Sequence, residues 1–305
     1  MKNINIQWVT QDATLFELDW LNEILSIYGS GTEIHIVRNF EEFKTDKNSL
    51  VICNHAVNYR VCLDALRQNS RHYGVFLLSD ENLYEQCEWL HDPGCIFCIR
   101  NYVHPMYVQH PKVLTVGLGY KRHFQEYLTK TTEERRLLWS FAGTPHGERR
   151  QMLEVFKDLE PNQTHDCSGF CASDALTTRD YAQMLEQSKF ALCPPGQDSM
   201  DSFRLYEALE AGCIPVATAR TLRLPIYPSY WHAVMRSAEI YEIPFIIQDS
   251  WENCRYKVEE VLDNNKYEQR QKQCQEFWQK VKRNWRYKIE GKLSLLDLDY
   301  QVCAK

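Results

Sequence analysis

The stretch FALCPPGQDSMDSFRLYEALEAGCIPVATA, residues 190–219, decides the fold. Phe190, Ala191, Leu192 and Cys193 form a short continuous apolar run, the pattern of a central parallel strand buried on both faces. Pro194, Pro195 and Gly196 stop it, because proline cannot continue a ladder and glycine permits an unusual turn. The polar DSMDS that follows supplies helix caps, and the spacing predicts a helix over residues 202–211 with Gly212 at its C′ position. Leu205, Ala208 and Leu209 share one face of that helix, and CIPVA is the next buried strand. The whole reads as strand, loop, helix, strand: one unit of a parallel α/β sheet.

Its polar face has a chemistry of its own. Ser199 and Ser202 fall at a helix N-terminus above the carboxyl end of a strand, where free N–H groups and the helix dipole suit a diphosphate. Arg204, in the first turn, adds positive charge. Glu207 follows on the same flank, and a carboxylate there can accept two hydrogen bonds from a ribose diol. Together they describe a nucleotide-diphosphate reader. A plainer account stays open, with Arg204 and Glu207 a solvated i,i+3 pair and the serines simple caps.

The rest of the chain repeats the alternation. INIQWV, EIHIV, SLVICNH, YGVFLL, CIFCIRNY and KVLTVGL read as strands, with helical spacing in LFELDWLNEILSIY and YRVCLDALRQ between them. Residues 120–136 are charged and polar and read as an interdomain connection. LLWSFAGTPHGERRQMLEVFKDL then restarts the pattern, TTRDYAQMLEQSK is helical, EIPFIIQD is a strand, and residues 267–289 read as one long helix. The expected division is residues 1–130, residues 131–265, and a helical tail over 266–305 that packs back on the first domain. Ligands of open α/β sheets bind at the carboxyl ends of the strands, so the loops there hold the candidate site.

Composition narrows the function. A net charge of −6 leaves no basic footprint for nucleic acid. The first twenty residues lack the pattern of a secretory leader, and no run approaches the ~18 apolar residues of a membrane span. The expectation is a cytoplasmic protein, with a peripheral membrane contact left open. Twelve cysteines are scattered, many in apolar surroundings such as Cys53, Cys62, Cys193 and Cys213, and read as reduced core thiols. Cys95 and Cys98 form a CxxC and Cys167 and Cys171 a CxxxC. Strand alternation is expected to send Cys95 and Cys98 to opposite faces, so no metal site is expected. LDLDY at 296–300 has the spacing of a metal-binding DxD at Asp297 and Asp299, but its place in an apolar alternation at the end of the chain makes it a decoy.

The segment YAQMLEQSKFALCPPGQDSMDSFRLYEALEAGCIPV resembles the C-terminal signature of the exostosin glycosyltransferases, family 47, through Tyr181, Leu185, Ser188, Phe190, Leu192, Pro194, Gly196, Ser202, Arg204, Glu207, Ala208, Leu209, Gly212, Cys213, Ile214, Pro215 and Val216. IPFIIQDSWENCRYKVEEV and WSFAGT resemble other segments of that family. YGVFLLSDE, IRNY and VLTVGLGYKRHF resemble its ribitol xylosyltransferase branch. The resemblance implies an α/β, GT-B fold: two Rossmann-like domains facing a central cleft, with the donor in the C-terminal one. It also implies an inverting transfer from a UDP-sugar as co-substrate, with no cofactor and no bound metal, to a glycan or polyol acceptor. By position it places Arg204 at the diphosphate, Glu207 at the ribose, and Gly143 and Thr144 along the phosphates. Arg149 or Arg150 is placed near the leaving group.

Such a displacement needs a general base beside the acceptor hydroxyl. FLLSDEN ends a strand of the first domain with Asp80 and Glu81, either of which is a candidate. The same two residues would equally cap a helix over ENLYEQCEWL, and His55 is a further candidate. Two other functions fit the same donor half. One is a non-catalytic nucleotide-sugar-binding subunit of a glycan-assembly complex, and the other is a GT-B enzyme of another class, such as a sugar-nucleotide epimerase.

Overall fold

Apolar runs bounded by Gly, Pro and Asp turns form two separate parallel sheets, each built from strands that follow one another closely in the chain. The computed structural model describes residues 4–26, 33–54, 58–129, 134–219 and 230–297. The first sheet holds β1 (Ile4–Val9), β2 (His35–Val37), β3 (Asn48–Asn54), β4 (Tyr73–Leu78), β5 (Cys95–Arg100) and β6 (Val113–Thr115), in the order β2-β1-β3-β4-β5-β6. Helices α1 (Leu18–Leu25) and α2 (Arg60–Gln68) connect its strands. Every residue of β4 is buried, as suits a strand with parallel neighbours and covered faces.

The second sheet holds β7 (Leu137–Gly143), β8 (Asn162–Asp166), β9 (Ser188–Leu192), β10 (Ile214–Thr218) and β11 (Ile246–Gln248), in the order β11-β10-β9-β7-β8. Its helices are α3 (Glu148–Phe156), α4 (Thr178–Glu186), α5 (Phe203–Glu210), α6 (Tyr230–Arg236) and α7 (Trp251–Asp263). β8, with sequence NQTHD, is a polar edge strand that hydrophobic patterning does not mark. The helix expected over residues 202–211 is α5, and Gly212 behind it takes the left-handed φ of +74° that the C′ position asks for.

Helix α8 (Tyr267–Asp297) runs 31 residues, ~46 Å at 1.5 Å per residue, and joins the two units. Trp278 and Trp285 on α8 pack against Trp20 of α1, at ring-centroid distances of 5.7 and 6.1 Å. Between them Lys282 bridges Glu210 of α5 at 2.5 Å and Glu23 of α1 at 3.0 Å. Farther along, Lys292 Nζ lies 5.7 Å from the Phe97 ring centroid, and Asn48 Nδ2 donates to the Leu296 carbonyl at 2.9 Å. Among the described residues no helix is long and apolar enough to cross a membrane.

Three local expectations are corrected. α8 continues to Asp297, so the LDLDY run begins inside a helix instead of an alternating strand; Asp299 lies outside the described residues. No α-helix forms over 81–90: the segment is a loop that ends in a short 3-10 turn, Glu88–His91. Cys95 and Cys98 do not face opposite ways, because the β4–β5 register slips between Tyr73 and Gly74 and both thiols enter the same apolar cluster. The eleven described cysteines are free, and all but Cys167 and Cys171 are buried.

Candidate active site

The carboxyl ends of the two sheets enclose a cavity of about 490 Å³. On its C-terminal side, β9 stops at the Pro-Pro-Gly loop and α5 begins, so Arg204 projects from the first turn into the lining. Its Nε donates to the Ala142 carbonyl at 2.9 Å, and its guanidinium lies 5.5 Å from the Phe141 ring centroid. That position requires Gly143. With φ at +153°, a Cβ there would sit 2.4 Å from Arg204 Nη2.

Arg149 reaches the same place from the first turn of α3. Its Nη1 donates to the Thr144 carbonyl at 3.2 Å and its Nη2 to the Pro195 carbonyl at 2.8 Å, which ties the loop after β7 to the loop after β9. Its Nε is buried with no hydrogen-bond partner among the described residues. Burial, then the neighbouring Arg204 charge, pushes the Arg149 pKa down to about 10. Two adjacent guanidinium groups in one cavity form a seat for an anion.

Glu207 is only 1% exposed, and its carboxylate faces the cavity, so it is no solvated surface residue. Its Oε1 accepts from the Lys121 backbone N–H at 3.3 Å, and burial raises its pKa, opposed by the Lys121 charge. Gly143, Thr144, Arg149, Ser202, Arg204 and Glu207 thus line one cavity. Ser199 does not; its hydroxyl turns to the Asp201 backbone N–H, 3.1 Å away, and braces the loop. Arg150 is exposed and donates to the Pro145 carbonyl at 2.8 Å.

The opposite wall comes from the N-terminal sheet. Of the two adjacent acids after β4, Asp80 turns inward: its Oδ2 pairs with buried Arg100 at 2.9 Å, and its Oδ1 accepts from Tyr84 N at 2.8 Å. It is 1% exposed and absent from the cavity wall. Glu81 turns outward into the cavity, where its Oε1 accepts from the Asp198 N–H at 3.1 Å. A Cβ at Gly196 would stand 2.7 Å from that oxygen, so the glycine of the C-terminal loop makes room for the acid of the N-terminal one. His55 lies outside the described residues.

Glu17, Lys121 and Asp201 are among the wall residues that sequence reasoning missed. Glu17, just before α1, is buried and accepts from Ser79 Oγ at 2.8 Å; burial raises its pKa. Its signal was its place after the first strand, at a carboxyl end. Lys121 had the look of a solvated linker residue. Asp201 had the look of a cap, but it is a buried junction. Its Oδ2 accepts from Tyr206 at 3.0 Å and Tyr230 at 3.2 Å, its Oδ1 accepts from Ser202 N at 3.0 Å, and the Leu118 N–H reaches it from the first domain's side.

Burial outweighs those donors and pushes the Asp201 pKa up to about 7. A carboxyl whose pKa is raised by folding favours the folded state fully below its ordinary pKa of about 4, and that contribution is lost as pH climbs through about 7. Asp201→Asn is therefore expected to flatten the fall in melting temperature between about pH 4 and pH 7. Parallel pH curves for wild type and variant would refute the assignment.

Comparison with known proteins bears on the family and the fold. Residues 65–233, more than half of the chain, match the Exostosin GT47 domain family. A probable glycosyltransferase of Arabidopsis thaliana is 32% identical over 116 residues, which cover 36% of this chain and 22% of that protein. The match thus spans about a fifth of the relative's length. The crystal structure of an alpha1,3-fucosyltransferase superposes with a TM-score of 0.52, covering 97% of this chain and 91% of that one at 12% identity. The fold is GT-B, two Rossmann-like domains facing a central cleft.

Proposed function

Because the chain belongs to the exostosin GT47 family, we propose that it is a glycosyltransferase that moves a sugar from a UDP-sugar to a glycan or polyol acceptor, with inversion and without a bound metal. The observation that supports this reading most is the meeting of Arg149, Arg204 and Glu207 on one cavity wall with Glu81 on the other. The guanidinium groups of Arg204 and Arg149 face the diphosphate, with the N-terminus of α5 beside them. Glu207 accepts from the ribose hydroxyls. The acceptor hydroxyl lies against the N-terminal wall, and Glu81 takes its proton as its oxygen attacks the anomeric carbon. The bond from that carbon to the β-phosphate oxygen breaks, its electron pair leaves with the diphosphate, and the arginine charges stabilise the leaving group.

The test is a thermal-shift panel of UDP, GDP and their sugars, followed by turnover with the donor that binds best. Donor at a hundred times its dissociation constant is expected to stabilise the fold by about 2.7 kcal/mol. Arg204→Ala is expected to weaken donor use about ten- to hundredfold, the loss of a charge-assisted hydrogen bond. Turnover is expected to survive EDTA. A flat panel at millimolar ligand would sink the nucleotide-sugar reading. Activity abolished by chelator and restored by Mn²⁺ would sink metal independence.

A further inference from the structure

We propose that Lys121, which belongs to the N-terminal side of the cleft, binds the donor diphosphate as a third cation, so that the nucleotide is gripped from both walls at once. The inference rests on the nucleotide-sugar reading above. Lys121 follows β6, in the segment expected to be only a polar connection, yet its neighbours Tyr120 and Phe124 are buried and it is fixed at two points. Its backbone N–H donates to Glu207 Oε1, and its ammonium lies 5.5 Å from the Phe170 ring centroid. Both anchors belong to the C-terminal wall. The side chain lines the same cavity as Thr144, Arg149 and Arg204.

The cavity wall holds three cations, Lys121, Arg149 and Arg204, beside four carboxyl groups, Glu17, Glu81, Asp201 and Glu207. Buried Arg100 is paired with Asp80 at 2.9 Å, and buried Lys282 with Glu210 and Glu23. Among the described residues, Lys121, Arg149 and Arg204 take part in no ion pair, although acids outnumber bases 41 to 35 in the chain. Three cations that line one partly enclosed space suit a diphosphate, which carries more than one negative charge. When the bond to the anomeric carbon breaks and its electron pair moves to the β-phosphate oxygen, a cation on the acceptor's side of the cleft favours the leaving group. Because the same residue holds Glu207 by its backbone, ribose and diphosphate recognition meet at Lys121.

Calorimetric titration of the full chain tests this with UDP and GDP, each beside its nucleoside. Lys121→Met is expected to weaken binding of the better diphosphate about ten- to hundredfold and to leave nucleoside binding unchanged, with Lys121→Arg restoring most of the loss. The wild-type affinity for the diphosphate should also fall more steeply with salt than the variant's. Lys121→Gln serves as the second charge-removing variant should Lys121→Met fold poorly. Unchanged diphosphate affinity, or an equal loss for nucleoside and diphosphate, would overturn the inference, as would an effect confined to the acceptor KM. If the wild-type chain binds neither diphosphate, the nucleotide reading itself fails and this one falls with it; binding by wild type that ignores Lys121 defeats this one alone.

Discussion

Glu81→Gln is expected to leave donor affinity intact and to lower turnover by about 10²–10⁴-fold, the usual contribution of a positioned base. The choice of glutamine follows from the geometry. Glu81 Oε1 accepts from the Asp198 N–H and so helps hold the loop that precedes α5. A glutamine oxygen can still accept there, but the amide cannot take a proton. Loss of turnover with unchanged donor binding therefore isolates the proton transfer from the structural role. The product anomer should be inverted relative to the donor. Near-normal turnover would remove Glu81 from the mechanism. Glu17, the other carboxyl of the N-terminal wall, would then be tested in the same assay as Glu17→Gln. Asp80→Asn should behave differently from both: it leaves Arg100 buried without its counter-charge, and a loss of stability is the expected readout.

Trp278→Ala carries the largest expected stability cost, about 3–5 kcal/mol. The ring is fully buried where α8 meets both domains. It stacks on Trp20 at 5.7 Å with an interplanar angle of 16°, meets Tyr206 of α5 at 5.6 Å, and its Nε1 donates to Glu210 at 2.7 Å. Truncation removes apolar burial from α1, α5 and α8 together and takes one donor from Glu210. Tyr287 on the same helix, 76% exposed, provides the control, and its alanine variant should stay within about 0.5 kcal/mol of wild type. Denaturant midpoints at unchanged slope measure both. A Trp278→Ala cost below about 1 kcal/mol would mean that this helix does not bind the two domains together.

What the sequence by itself determined lies within single strand–loop–helix units. Phe190 to Cys193, the Pro-Pro-Gly stop, the α5 periodicity and Gly212 follow short-range rules, and so did the placement of Arg204 and Glu207 on one flank of one helix. Those rules depend on residues a few positions apart, and a period of two or 3.6 reports them directly. Asp80 and Glu81 show where such rules end. They are adjacent and chemically alike, yet one is turned onto Arg100 and the other faces the cleft, a choice made by a side chain twenty residues downstream. The slip in register that brings Cys95 and Cys98 into one cluster is likewise set by the neighbouring strand. Lys121 and Glu207 stand 86 positions apart, and Glu81 and Asp198 stand 117 apart. Only the docking of two domains under α8 makes them neighbours. Local spacing states which groups a helix flank offers; packing between distant segments decides which of them share a cavity, and burial there sets their charge.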